Sequence, residues 1–307
     1  MREEAGIATR VTDEADGTGD LGSTPPTPVP NATVPPVPEG TPAAPARGAR
    51  RRSVLHPATW LPATVVLVVL GLAWSAVAEA HPYILPGLGE VGSALVGDPP
   101  LFLENAWATL SIALVGVGVG AGSAFVLALL MSEIPMVRRA VMPFAVVLNV
   151  TPVVAITPAL VVAFGFGMAP KVIVTAIITF FPVLINVATG LRSVPLPVLH
   201  VFRTLNASRW EVLLRLRVPS SLPYTLAALR VVVPLSLVGA VVAEFVAAGS
   251  SGGLGTMIRN SASTARLDHV YAGVACLAAM GVLLLTLVTL VEKRLLFWHD
   301  SRRPTRG

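Results

Sequence analysis

Residues 200–223 read HVFRTLNASRWEVLLRLRVPSSLP and carry Arg203, Arg209, Arg215 and Arg217 between long apolar segments. The sequence around this island is built for lipid. Only 13% of the 307 residues are charged and 54% are hydrophobic, with a mean hydropathy of +0.74. Soluble domains carry about 25% charged residues, so the chain falls in the membrane class. A membrane protein that keeps a polar helical island on its basic side presents it to a soluble partner.

Apolar segments lie at about 60–78, 106–131, 141–167, 171–191, 223–247 and 270–291. Each has the ~20 residues needed to cross a hydrocarbon core. Backbone groups in lipid must be satisfied within the segment, so the expectation is an all-α, polytopic protein of about six transmembrane helices. The first segment ends in Ala76-Val77-Ala78, which is like a cleavage site. It begins too far along the chain for a signal peptide and reads as an uncleaved span.

Orientation follows the Lys and Arg residues of the loops. One side holds Arg47, Arg50, Arg51 and Arg52, then Arg138, Arg139, Arg192 and the island, and finally Lys293, Arg294, Arg302, Arg303 and Arg306. The other holds only Lys171, Arg259 and Arg266. Both termini are therefore expected in the cytoplasm of a multi-pass plasma-membrane protein. The net charge of +5 reports topology, and nucleic acid is not an expected partner. Residues 1–55 form a tail whose run TPPTPVPNATVPPVPEGTPAAP lacks apolar anchors. Such composition cannot offset its ordering entropy, so disorder is expected there. Residues 56–298 form the membrane domain, and residues 299–307 a second cytoplasmic tail.

Within the island, Ser208 stands where its hydroxyl can cap a helix opening with Arg209, Trp210 and Glu211. Asn206 tolerates the left-handed backbone that a sharp turn needs. The expected pattern is helix, Asn turn, helix, then Pro219 and Pro223 leading back into the membrane.

This stretch resembles the cytoplasmic "EAA" loop of binding-protein-dependent ABC-transporter permeases. That loop usually has an E-A-A triplet and, after three more residues, a Gly. Here His200-Val201-Phe202 replaces the triplet and Asn206 stands at the Gly position, which removes one acidic contact but keeps the turn. FGFGMAPKVIVTAIITFFPVLINVATGLRSV (164–194), GAVVAEFVAAGSSGGLGTMI (239–258) and YILPGLGEV (83–91) are similar to segments of the nitrate/sulfonate/taurine-type permeases. The region from Lys171 to Asn186 is more like the pyrimidine-precursor branch. The resemblance covers about residues 60–298. It implies the permease subunit of an importer for a small solute, paired with a second permease copy. Two cytoplasmic ATPase subunits and an external solute-binding protein would complete the assembly. It also implies that Arg203, Thr204, Leu205, Asn206, Ala207, Ser208, Arg209 and Trp210 form a coupling helix seated on the ATPase, with Pro219 and Pro223 closing the loop.

Polar residues within spans mark pathways by default. The candidates are Glu244, Asn149, Thr151, Thr157 and Asn186, although each uncharged one equally suits an interhelical hydrogen bond. Pro152, Pro158 and Pro182 can kink helices around a cavity. Gly116, Gly118, Gly120 and Gly122 form a small-residue stripe suited to close packing. No GxxxxGK[ST] motif exists, so ATP belongs to a partner chain and no cofactor is expected here. His56, His81, His200, His269 and His299 lack metal-ligand spacing, and Cys276 stands alone in an apolar run. Neither a metal site nor a catalytic constellation is expected. An ion-coupled secondary transporter is the alternative reading, but that class shows inverted repeats and several ionisable groups at depth.

Deleting residues 1–45 keeps the basic cluster at Arg47–Arg52. Insertion and orientation should be unchanged when loop accessibility is mapped from each side of the membrane. An inverted map would show that the tail directs topology.

Overall fold

The computed structural model describes residues 57–247 and 252–296. Both expected tails, and the cluster at Arg47–Arg52, lie outside the described residues. The described part is helical, in the order α1 (Pro57–Ala80), α2 (Leu88–Gly97), α3 (Pro99–Glu133), α4 (Pro135–Val150), a 3-10 turn (Val153–Ile156), α5 (Thr157–Phe164) and α6 (Met168–Gly190). There follow α7 (Leu196–Thr204), α8 (Arg209–Val212), a π-helical turn (Leu213–Arg217), α9 (Val218–Val246), α10 (Leu254–Ser263) and α11 (Leu267–Leu295).

Among the described residues, four helices are long and apolar enough to cross a membrane: α3, α6, the continuous α8–α9 rod Arg209–Val246, and α11. The third expected span, 141–167, is instead a pair of helices, Pro135–Leu148 and Val153–Phe164, bent by 89°. The cause is local. Thr151 is extended (ψ 129°), the conformation favoured before a proline. Pro152 has no N–H to donate to α4, and Pro158 starts α5 as an N-terminal residue. The first expected span corresponds to α1, whose apolar part Thr64–Ala80 is 17 residues long.

The expected loop before residue 106 is also structured. Gly87 N–H donates to Glu90 at 3.2 Å, closing the first turn of α2. Asp98 accepts from Leu101 N–H at 3.2 Å, followed by prolines at the start of α3. This Asp-Pro-Pro start makes α3 35 residues long.

The bundle is organised around α6, which packs on α3 along one side and on α9 along the other. The small-residue stripe of α3 divides by helical period. A Cβ on Gly116 would meet the Thr175 side chain at 2.5 Å, and one on Gly120 would lie 2.5 Å from the Ala176 carbonyl and against Thr179. Gly118 and Gly122, on the other face, have nothing within 4 Å. Only half of the stripe serves packing, because residues four apart share a helix face while those two apart do not.

Buried apolar residues form clusters along this axis. Val187, Leu184, Met131 and Val232 lie in one, Ala113, Leu237 and Ala240 in a second, and Phe102, Leu254 and Ala272 in a third. α1 and α11 expose apolar residues such as Leu67, Leu70, Val282 and Leu283. In lipid such a face is the solvated one, because the acyl chains are as apolar as the side chains. α1 is held near its end, where Trp74 donates to Pro86 O at 3.0 Å and meets Tyr271 edge-on at 5.3 Å.

Gly120→Ala should lower the thermal midpoint of the detergent-solubilised protein, since overpacking a tight interface costs about 1–3 kcal/mol. Gly118→Ala should leave it unchanged. Equal effects would contradict the division of the stripe.

Candidate functional site

The polar island folds as a rigid elbow. α7 ends in a Schellman closure: Ala207 N–H donates to Phe202 O and Asn206 N–H to Arg203 O, both at 3.0 Å. This geometry needs a left-handed residue, and Asn206 takes it with φ +51°. Ser208 then caps α8. Its hydroxyl accepts from Glu211 N–H at 3.2 Å, while the Glu211 carboxylate accepts from Ser208 N–H at 2.9 Å. This reciprocal box satisfies donors at the helix start that would otherwise be open. Arg203 and Thr204 close α7, Leu205 to Ala207 make the turn, and Arg209 and Trp210 open α8. Leu205 is 73% exposed and Trp210 70% exposed.

Pro219 and Pro223 lie where the elbow passes into the next long apolar helix. Pro219 sits in the first turn of α9 and Pro223 inside it. Pro219 cannot donate to a carbonyl one turn back, and the preceding turn is wound as a π-helix. The rod therefore runs without a break from Arg209 to Val246. The prolines line a separate cavity of about 650 Å³ with Ser193, Arg215 and Tyr224.

A cross-tie that the sequence did not reveal holds the elbow to the bundle. Arg217 donates to the Ser132 hydroxyl and to Glu133, each at 3.0 Å, at the C-terminal end of α3. A cation there complements the carbonyl end of the helix.

The polar residues singled out within the spans do not form one cluster. Among the described residues no hydrogen bond joins any two of them. Asn186 donates to Pro182 O at 2.7 Å and Thr151 to Val147 O at 2.9 Å, each within its own helix. Thr157 is fully buried at the start of α5. Asn149 lies in α4, and its side chain is outside the described residues.

Glu244 is fully buried and anchors α10. Thr109 donates its hydroxyl to the carboxylate at 2.9 Å and Gly255 its N–H at 2.7 Å. The Thr109 oxygen also accepts from Leu254 N–H at 2.8 Å, and Asn105 accepts from Gly253 N–H at 2.8 Å. The first N–H groups of α10, orphaned by helix geometry, are thus met by side chains of α3 and α9. From α10, Arg259 returns a bond to Phe245 O at 2.8 Å. A Cβ at Gly255 would lie 2.7 Å from the carboxylate, and Gly253 holds φ +133°. Gly253 and Gly255 thus belong to a helix start fitted around Glu244. Lys171, which the topology count assigned to a loop, is buried in α6 and lies within electrostatic reach of Glu244.

Glu244→Ala should leave the Thr109 hydroxyl and the Gly255 N–H buried without their acceptor, a loss of about 1–3 kcal/mol. Glu244→Gln keeps an acceptor and should lose less. Thermal unfolding in detergent measures both, and equal losses would argue against a capping role.

Comparison with known proteins agrees with this architecture. Residues 116–297 match the family described as binding-protein-dependent transport system inner membrane component. The formylaminopyrimidine transport permease protein ThiX of Halalkalibacterium halodurans is 33% identical over 78% of this chain and 96% of its own length. The riboflavin transport system permease protein RibX of Chloroflexus aurantiacus is 32% identical over 80% and 92%. The taurine transport system permease protein TauC of Escherichia coli is 28% identical over 76% and 88%. In fold, a chain of the MetNI methionine ABC transporter superposes with a TM-score of 0.56 at 15% identity, covering 64% of this chain and 96% of that one. The chain belongs to the binding-protein-dependent transport system inner membrane components: it is a multi-pass permease subunit of an ABC importer, and ATP hydrolysis falls to a separate ATPase.

Proposed function

We propose that the chain lines the pathway of a plasma-membrane importer as one of two permease copies, with both termini and the elbow in the cytoplasm. The elbow, Arg203 to Trp210, seats in a groove of the ATPase and passes its closure to the spans. A solute-binding protein delivers the solute at the opposite face. The unequal distribution of Lys and Arg supports this orientation. The solute is a small organic molecule of the pyrimidine-precursor type. The supporting fact is that the relative named for formylaminopyrimidine transport matches at 33% identity, alongside one named for another nitrogen heterocycle, riboflavin.

The observation that carries the coupling role is the elbow's shape. A short helix locked by a Schellman turn on one side and a capping box on the other moves as a body. Its exposed Trp210 and flanking Arg209 are the residue types that dominate binding at interface hot spots.

Asn206→Val should force a β-branched residue into the left-handed region, at a cost of roughly 1–2 kcal/mol. With the partner ATPase and binding protein in proteoliposomes, ATP hydrolysis should persist while uptake of the solute falls about tenfold. Asn206→Gly should transport normally. Unchanged uptake by the valine variant would sink the rigid-elbow account.

A further inference from the structure

The carboxylates that bond to the elbow are engaged within the chain. Glu211 accepts from Ser208 N–H at 2.9 Å and lies 3.8 Å from Arg215. Glu133 is paired with Arg217 at 3.0 Å. Arg203 and Arg209 have no such partner: among the described residues neither makes an ion pair or a side-chain hydrogen bond.

These two arginines share a cleft with Arg217 and Glu133, a cavity of about 300 Å³ beside the elbow. Three guanidinium groups face one carboxylate that is already taken. The positive surplus extends around the cleft. Burial, and then the charges of Arg138 and Arg217, hold the Arg192 guanidinium below its usual value. Leu199, Ala207 and Val212 supply apolar wall between the charged groups. A concave cleft with apolar walls and spare guanidinium forks suits a carboxylate on a short hydrocarbon stem. Arg forks hold that group with two parallel hydrogen bonds.

We propose that the cleft receives an Asp or Glu side chain of the ATPase, held by Arg203 and Arg209. This rests on the coupling reading above and adds the chemistry that the ATPase must bring: an acidic residue beside its groove. An anionic membrane surface would satisfy the same charges, but it is flat and sends no side chain into a walled cleft. Because the arginines are exposed, the contact should act mainly on recognition and association rate, and it should be sensitive to salt.

The test uses the full chain in lipid nanodiscs with the ATPase subunit that operates with it. R203E/R209E should retain at least about tenfold less ATPase than wild type at about 0.15 M salt, where charges are screened over roughly 8 Å. R203K/R209K should still bind. On carbodiimide treatment it should form an amide link between an elbow lysine and an Asp or Glu of the ATPase, identified by mass spectrometry. Replacing that acidic residue by lysine should restore ATPase retention to R203E/R209E. The proposal is overturned if R203E/R209E retains the ATPase as well as wild type. It is also overturned if the loss appears only in discs rich in anionic lipid, which would make the surface a lipid contact. If wild type holds no ATPase at all, the coupling reading itself fails, an outcome distinct from failure of the charge contact.

Discussion

Hydrocarbon offers no hydrogen bonds, and this one constraint explains most of the polar detail in the chain. Wherever a helix stops or bends, its freed N–H and C=O groups must be met from within the protein. The buried start of α10 is met by Thr109, Asn105 and Glu244; at the more exposed ends of the bundle, Arg259 meets the end of α9 and Arg217 the end of α3. The bonds made by α3, to the start of α10 and to Arg217, cross between helices far apart in sequence. Satisfying a helix end thereby also fixes which helices lie together.

The same solvent removes the hydrophobic driving force between spans, so close contact has to come from shape. Gly116 and Gly120 let α3 approach the backbone of α6, and Gly239 brings α9 against Thr175 of the same helix. α6 is the common partner, and its buried Thr175 and Thr179 bond back to their own helix, at 2.9 Å to Lys171 O and 3.0 Å to Thr175 O. They add no polar demand to the interfaces that they fill.

Much of this was legible in the sequence, for identifiable reasons. Apolar run length located the spans, because bilayer thickness sets it. The elbow was readable because Asn206 and Ser208 act locally, on backbone groups within a few residues. What escaped was non-local. Nothing near Glu133 announces a partner at Arg217, 84 residues on. The bonds of Glu244 to Thr109 and Gly255 join different helices and leave no local mark in the sequence. The Asp98-Pro99-Pro100 start of α3 and the prolines around residue 152 were local signals. Hydropathy averages over such punctuation.

The unbroken rod from Arg209 to Val246 has a geometric consequence. At 1.5 Å per residue, 38 residues extend about 57 Å, nearly twice the ~30 Å hydrocarbon core. Such a rod is a lever as well as a span. Tilting it by about 5° about its elbow end sweeps the other end sideways by about 5 Å. That far end carries Glu244, two residues short of the rod's last residue, and with it the first turn of α10. A small rotation imposed at the arginine-rich end therefore becomes, at the other end, a displacement the size of a water molecule or more, with no helix having to bend.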